Sequence, residues 1–233
     1  MEPTRAHSLP PPEHPCAHCA GVSDCLIGRL PAALQQQLGT VLTEHRFTKG
    51  QVLAQQGARM QTLRIVKTGA VLLHGKGWDG KSHPMAFAGR GVAAGLLGLC
   101  RQDNAVGFVA VSSGRYCEID HDYLRDGMGV APEWQEAVMA AVARAYERLA
   151  DWAQVARLGN VTDRLSAALL LIAKEQRSRL VRLPDHASLA ALLGMSRESV
   201  VRALSSLQQA QCLVRRDASH YEVEVEVIQQ LLR

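Results

Sequence analysis

Residues 188–209 read SLAALLGMSRESVVRALSSLQQ, and this stretch decides the fold. Ala190 is small where two helices cross closely. Gly194 follows four residues later, at a turn that needs a positive φ. Ser196 is a good N-cap for the next helix. With Val200 and Leu204 facing inward, Arg197, Glu198, Ser199, Val201 and Arg202 are left on or beside the outer, N-terminal part of that second helix. Helices presented this way meet base edges in the major groove. A solvated helical hairpin would share the apolar spacing, but not the coincidence of small, turn and cap residues.

The flanks extend the unit. Residues 212–216 and 221–225 alternate apolar and polar around 217–220, which predicts a small β-hairpin, the wing of a winged helix-turn-helix. Upstream, a helix from Val161 turns Leu165, Leu169, Ile172 and Ala173 inward, and residues 180–183 form a short strand. Residues 160–233 therefore read as a DNA-binding domain.

Before it, Pro132 opens a long helix in the first-turn position where proline is tolerated. Its apolar spine is Trp134, Val138, Ala141, Ala145, Leu149, Trp152 and Val155, and Gly159 is the expected C-terminal cap. About 26 residues at 1.5 Å each give roughly 40 Å, longer than a compact domain needs. Residues 131–159 are therefore expected to pair with a second copy along a near-heptad seam, while also packing on their own domain.

Residues 46–128 change character. Short apolar runs at 62–66, 70–74 and 107–111 are punctuated by glycines, the pattern of a sandwich or barrel, with a loose α/β domain as the alternative. Residues 29–45 are expected to form a helix with Leu30, Leu34, Leu38 and Leu42 on one face, and the proline-rich residues 1–15 a disordered tail. The expected fold class is α+β: a tail and cysteine segment over 1–28, a β-roll sensor domain over 29–130, the dimerisation helix, then the winged helix-turn-helix.

The chain has 233 residues, 47% of them hydrophobic, and a net charge of +4. From residue 161 onward, 10 Lys/Arg stand against 8 Asp/Glu, so DNA binding rests on the motif and not on bulk charge. No apolar run approaches a membrane span and no signal peptide opens the chain, so a cytoplasmic protein without disulfides is expected. In that compartment clustered cysteines lean towards metal binding or redox sensing. Three of the 6 cysteines, Cys16, Cys19 and Cys25, form C-x2-C-x5-C. An iron–sulfur cluster takes four thiolates, so one ligand is missing locally. A zinc site using these three with His14 or His18, or unliganded thiols, are the alternatives. Cys100 and Cys212 lie in apolar contexts and are expected to be small core residues.

Taken together, the order of elements resembles the Crp/Fnr superfamily of transcription regulators over nearly the whole chain. Within it the cysteine pattern is most similar to the oxygen-responsive Fnr type. Cys16, Cys19 and Cys25 reproduce that type's spacing, and Cys117-Glu118-Ile119 matches its fourth ligand near the end of the β-roll. The resemblance implies a [4Fe-4S] cluster on Cys16, Cys19, Cys25 and Cys117. It also implies a homodimer on inverted-repeat double-stranded DNA, RNA polymerase as a partner, and no enzymatic activity. Asp151 matches an aspartate of the family's dimer helix, where like charges across the seam would make the dimer switchable. Cyclic nucleotide is not expected: the ribose-binding Gly-Glu pair is replaced by Gly95-Leu96, and Asn104-Ala105-Val106 stands where the phosphate-binding arginine belongs. A regulator sensing haem or another small effector, and an iron–sulfur electron-transfer protein, are the competing functions.

Two positions depart from the Fnr pattern. Asp24 puts a carboxylate beside a cluster ligand, where an apolar residue is usual. In the reading helix Val201 replaces a serine, while Arg197-Glu198 with Arg202 is similar to the Crp type.

Overall fold

The structure, a computed structural model, describes residue 16, residue 19 and residues 22–232. The proline-rich tail, His14 and His18 lie outside the described residues. Eight strands build the N-terminal domain: β1 (Thr43–Phe47), β2 (Val52–Ala54), β3 (Thr62–Thr68), β4 (Val71–Lys76), β5 (Ser82–Ala88), β6 (Ala93–Ala94), β7 (Gly107–Ala110) and β8 (Gly114–Asp120). They form two antiparallel four-stranded sheets, ordered β1-β8-β3-β6 and β2-β7-β4-β5. The β-roll is thus present and the α/β alternative is excluded.

Helix α1 (Ala32–Gly39) is shorter than the leucine spacing predicts. A 3-10 turn at Ile27–Arg29 precedes it, Pro31 resets the chain between them, and residues 43–47 are strand β1. Leu30 and Leu38 are buried, so the apolar face is real, but two elements carry it.

After β8 come α2 (His121–Met128) and α3 (Pro132–Arg157). The C-terminal domain holds α4 (Val161–Gln176), β9 (Leu180–Arg182), α5 (His186–Leu193), α6 (Arg197–Gln209), β10 (Leu213–Arg215), β11 (His220–Val223) and α7 (Val225–Leu231). Its three strands form one sheet, β10-β11-β9. Gly159 does not cap α3: Leu158 ends the helix in extended backbone, and Gly159 has no positive φ.

Helix α3 bridges two cores. Trp134, Ala137 and Ala141 pack with Leu26, Ile27, Leu63, Ile65 and Ile119, joining the N-terminal segment to the outer face of β3 and β8. Trp152 and Val155 pack in the other core, which runs from the β-roll into the DNA-binding domain. The predicted spine therefore faces the protein's own body. A second stripe stays outside: Met139 is 66% exposed, Val142 37% and Tyr146 75%.

His121, fully buried at the start of α2, marks a pH-sensitive point. Its Nδ1 lies 3.1 Å from the Met60 carbonyl, an acceptor only, so Nδ1 carries the proton and donates. Its Nε2 has no partner among the described residues. Burial pushes the imidazole pKa down. The Met60 hydrogen bond, Asp120 and Asp122 act against this, and Arg125 adds to it. The folded state thus resists protonation that the unfolded chain accepts near the ordinary histidine value of about 6.5. Unfolding free energy is expected to fall as pH drops below about 6.5, by at most ~1.4 kcal/mol per pH unit for this one proton. Denaturant titrations at several pH values check it. His121→Gln should flatten the slope, and an unchanged slope assigns it elsewhere.

Candidate metal centre and nucleic-acid interface

Backbone hydrogen bonds tie the described residues of the cysteine segment together. Cys19 N donates to Cys16 O at 3.1 Å, Val22 N to Cys19 O at 3.0 Å, and Cys25 N to Val22 O at 3.3 Å. Gly28 allows the segment to fold back, because a Cβ there would lie 1.8 Å from the Val22 carbonyl oxygen. Leu26 and Ile27, both fully buried, anchor it on the sheet.

Cys117 comes from the middle of β8, paired in register with Glu44 of β1 and Ile65 of β3. Alternation along the strand turns it with Ile119 towards the segment, while Tyr116 faces the β-roll interior. The result is one cavity walled by Cys16, Cys19, Cys25 and Cys117 together with Val22, Ile27, Leu42, Ile65 and Lys67. The four predicted ligands, up to 101 positions apart, share that wall.

Burial in this cavity favours the neutral, protonated thiols. Burial, then the charges of Cys25 and Cys19, push the Cys16 thiol up to about 11. Burial, with Cys25, pushes Cys117 up to about 12, and burial also raises Cys25. Such thiols stay protonated until a metal displaces the protons. Two cations oppose the shifts: Lys67 acts on Cys16 and Cys117, and Arg144 of α3 acts on Cys25. Lys67 is tied to Glu44, whose carboxylate also accepts from Arg115 Nη1 at 2.8 Å.

Four soft thiolates in a largely apolar wall fit the donor set of an iron–sulfur cluster. The free space in the cavity is about 20 Å³, close to one water, so a four-iron core would need the described residues of the cysteine segment to move outward. Among the described residues no three His, Cys, Asp or Glu side chains converge as ligands of a single ion. Cys212 is buried as expected. Cys100 is not a core residue: it ends a 3-10 turn (Leu96–Cys100) whose buried residue is Gly98, set so close to His121 that a Cβ there would lie 2.4 Å from the ring, and Cys100 is left exposed.

Asp24, the carboxylate that departs from the apolar residue usual beside the ligands, is 9% exposed and ion-paired with Arg177. Nothing near Asp24 in sequence indicates a partner at the end of α4. Asp151 has its own partner, Lys174 Nζ at 2.8 Å. It lies on the flank of α3 that faces α4, where Lys174 offsets its charge within the chain.

At the reading helix, Gly194 has φ +61° and ends α5. Ser196 Oγ accepts from Ser199 N at 3.1 Å, forming the cap. Val200 is fully buried and Leu204 nearly so, while Arg197, Glu198, Val201 and Arg202 are exposed. Ser199 is half-buried, and its Oγ accepts from Arg202 Nη2 at 3.3 Å, orienting that guanidinium. Backbone hydrogen bonding at the helix N-terminus, with Ser196, lowers the Glu198 pKa, so it stays ionised. Arg197 borders a crevice shared with Ser219 of the wing and Lys49 of the β-roll.

A further cavity of about 160 Å³ lies between the β-roll and α3, bounded by Gly95, Leu96, Asn104, Ala105, Val106 and Phe108. Sequence reading missed that Arg144 and Arg148 of α3 border it, because they lie outside the β-roll segment compared. Arg148 is held by Glu175 at 2.8 Å. Among the described residues no helix is long and apolar enough to cross a membrane.

Comparison with known proteins agrees with this architecture. The cyclic nucleotide-binding domain family matches residues 44–129, and the Crp-like helix-turn-helix domain family matches residues 163–233. No curated protein sequence matches the chain. Among solved structures, FixK2 from Bradyrhizobium japonicum is similar with a TM-score of 0.72 at 20% identity, covering 82% of this chain and 97% of its own. A CRP-family transcriptional regulator from Thermus thermophilus is similar at 0.63 and 17% identity, covering 81% and 96%. The c-di-GMP-responsive global regulator CLP of Xanthomonas campestris is similar at 0.62 and 22% identity, covering 83% and 99%. These identities show a shared fold. With both domain families matched in order along one chain, the protein belongs to the Crp/Fnr family of DNA-binding transcription regulators.

Proposed function

We propose that the protein is an oxygen-responsive regulator that carries a [4Fe-4S] cluster on Cys16, Cys19, Cys25 and Cys117 and binds inverted-repeat DNA as a homodimer. The observation that supports it is the shared wall formed by four cysteines drawn from two distant parts of the chain. The cluster, when bound, supplies the oxygen-reactive centre. The protein's own residues do the rest: Cys117 fixes one ligand on a rigid central strand, the cysteine segment brings the other three, and Lys67 and Arg144 balance negative charge there. The segment shares its core with Trp134, Ala137 and Ala141, so its seating bears directly on α3. Anaerobic purification with iron, sulfide and absorbance measured before and after air tests the reading. Stoichiometric zinc without acid-labile sulfide overturns it.

Dimerisation through α3 uses the outer stripe. Met139, Tyr146 and Ala153 recur every seven residues, as do Val142, Leu149 and Ala156, an a/d pattern over two heptads. Met139, Val142, Tyr146, Ala153 and Ala156 are exposed in the single chain. Asp151 lies outside this pattern, so its influence on the dimer runs through Lys174 and α4. Tyr146→Glu is expected to weaken the dimer by about 100-fold, from the few kcal/mol that an unpaired buried charge costs. DNA affinity should fall with it, since two half-sites need a two-fold pair. Sedimentation of the anaerobic protein checks this, and an unchanged dimer places the seam elsewhere.

Cyclic nucleotide is not expected in this reading. The cavity at its expected position is walled mostly by apolar side chains; of the two cations on its wall, Arg148 is committed to Glu175 and Arg144 acts on Cys25 of the cysteine site. A buried phosphate needs charge partners there. RNA polymerase is the expected partner on DNA, as for regulators of this family.

A further inference from the structure

Three ion pairs hold the C-terminal end of α4. Arg148 of α3 clasps Glu175 with Nε at 2.8 Å and Nη2 at 3.1 Å, and the same carboxylate accepts from Gly89 N of the β-roll at 3.3 Å. Asp151 of α3 takes Lys174. The third pair is Asp24–Arg177, and among the described residues it alone reaches α4 from the cysteine segment.

Asp24 is poorly placed to do without Arg177. Its side chain is 9% exposed, and a carboxylate removed from water is costly unless paired. Its backbone is seated as well: a Cβ on Gly91 would lie 2.4 Å from the Asp24 carbonyl oxygen. Arg177 is the C-cap of α4, in the left-handed region at φ +48°. From there α4 packs on α6, and Arg164 of α4 donates to the Leu193 carbonyl at the end of α5 at 2.9 Å. One covalent step from Cys25 thus leads through one ion pair and one helix to the reading helix of the same chain.

We propose that Asp24 and Arg177 are positioning residues for DNA binding: the pair ties the seating of the cysteine segment to the orientation of α6 within one chain, in addition to any effect on the dimer. The inference rests on the cluster reading above. Arg177 has a long stem and is 61% exposed at its side chain, so it can follow Asp24 through the outward movement that a cluster requires. When Cys25 is released, Asp24 leaves its seat and its carboxylate turns to water. The α4 end is then held by Arg148–Glu175 and Asp151–Lys174 alone.

The test uses full-length anaerobic protein, at concentrations where sedimentation shows parent and variants fully dimeric, and an inverted-repeat duplex selected by the parent. Arg177→Gln is expected to lower DNA affinity about 10-fold, within the usual range of coupling between sites, with iron, sulfide and dimer content unchanged. Asp24→Asn should do the same. The charge swap, Asp24→Arg with Arg177→Asp, should recover most of the loss, which assigns the effect to the pair and not to either residue alone. In air, parent and Arg177→Gln should bind equally weakly. Parent-like binding by anaerobic Arg177→Gln overturns the proposal, as does a swap that recovers nothing. If the parent carries no iron or sulfide, the cluster reading has failed, and swap recovery still decides the role of the pair.

Discussion

Replacing Cys117 by serine is expected to take the anaerobic protein from about four iron and four sulfide per chain to almost none, the count for one cluster on four cysteine ligands. A serine hydroxyl is a hard, weakly acidic donor and a poor substitute for a thiolate. The fold should survive, because Cys117 is only half-buried and β8 keeps its pairing on both sides. No spare thiol stands near: Cys212 is sealed in the DNA-binding domain, and Cys100 lies on an exposed turn that does not border the cavity. Serine at Cys16, Cys19 or Cys25 should behave like Cys117→Ser, whereas Cys100→Ser and Cys212→Ser should load fully. Far-ultraviolet circular dichroism separates loss of the cluster from loss of the fold. Full loading of folded Cys117→Ser would remove β8 from the ligand set.

The residues differ in how far sequence alone exposed their roles, and the reasons are physical. The helix-turn-helix was legible because its signals are local: Gly194 for a positive φ, Ser196 for the cap, and inward Val200 and Leu204 all act within one or two turns of chain. The β-roll was legible as glycine-punctuated short runs. Helix α3 was legible from its length and periodicity, but four residues of its expected seam, Trp134, Ala141, Trp152 and Val155, are buried against the same chain. The helix is apolar on two sides, and periodicity cannot say which side meets the rest of the same chain. Trp134 and Trp152 dominate a helical wheel by size, yet each fills one of the two intrachain cores. Leu30 to Leu42 gave a helical spacing that Pro31 and the start of β1 interrupt. Ion pairs were the least legible. Arg177 lies 153 positions from Asp24, Lys174 lies 23 from Asp151, and no pattern in either neighbourhood announces the partner.

Selection from random DNA with anaerobic protein is expected to return an inverted repeat whose half-site is close to 5′-TGTGA. Arg197 and Arg202 are exposed on the first turns of α6, and each can present a guanidinium fork to the O6 and N7 of a guanine. Ser199 holds the Arg202 fork from one side, which reduces the ordering cost of binding. Glu198, kept ionised by the helix N-terminus, can accept from a cytosine amino group on the opposite strand. Val201, 41% exposed, has no hydrogen-bonding group and offers only an apolar contact, suited to a thymine methyl. Two arginines, one carboxylate and one apolar contact thus specify two guanines per half-site. Arg197→Ala should cost about 1–3 kcal/mol at one guanine and relax preference at that position alone, a loss of about 5- to 150-fold on the intact site. The similarity to the Crp type makes this the outer guanine. Recovery of a TTGAT half-site whose selection is indifferent to Arg197→Ala would show that Arg197 reads no base, and that Glu198 and Arg202 carry the reading without it.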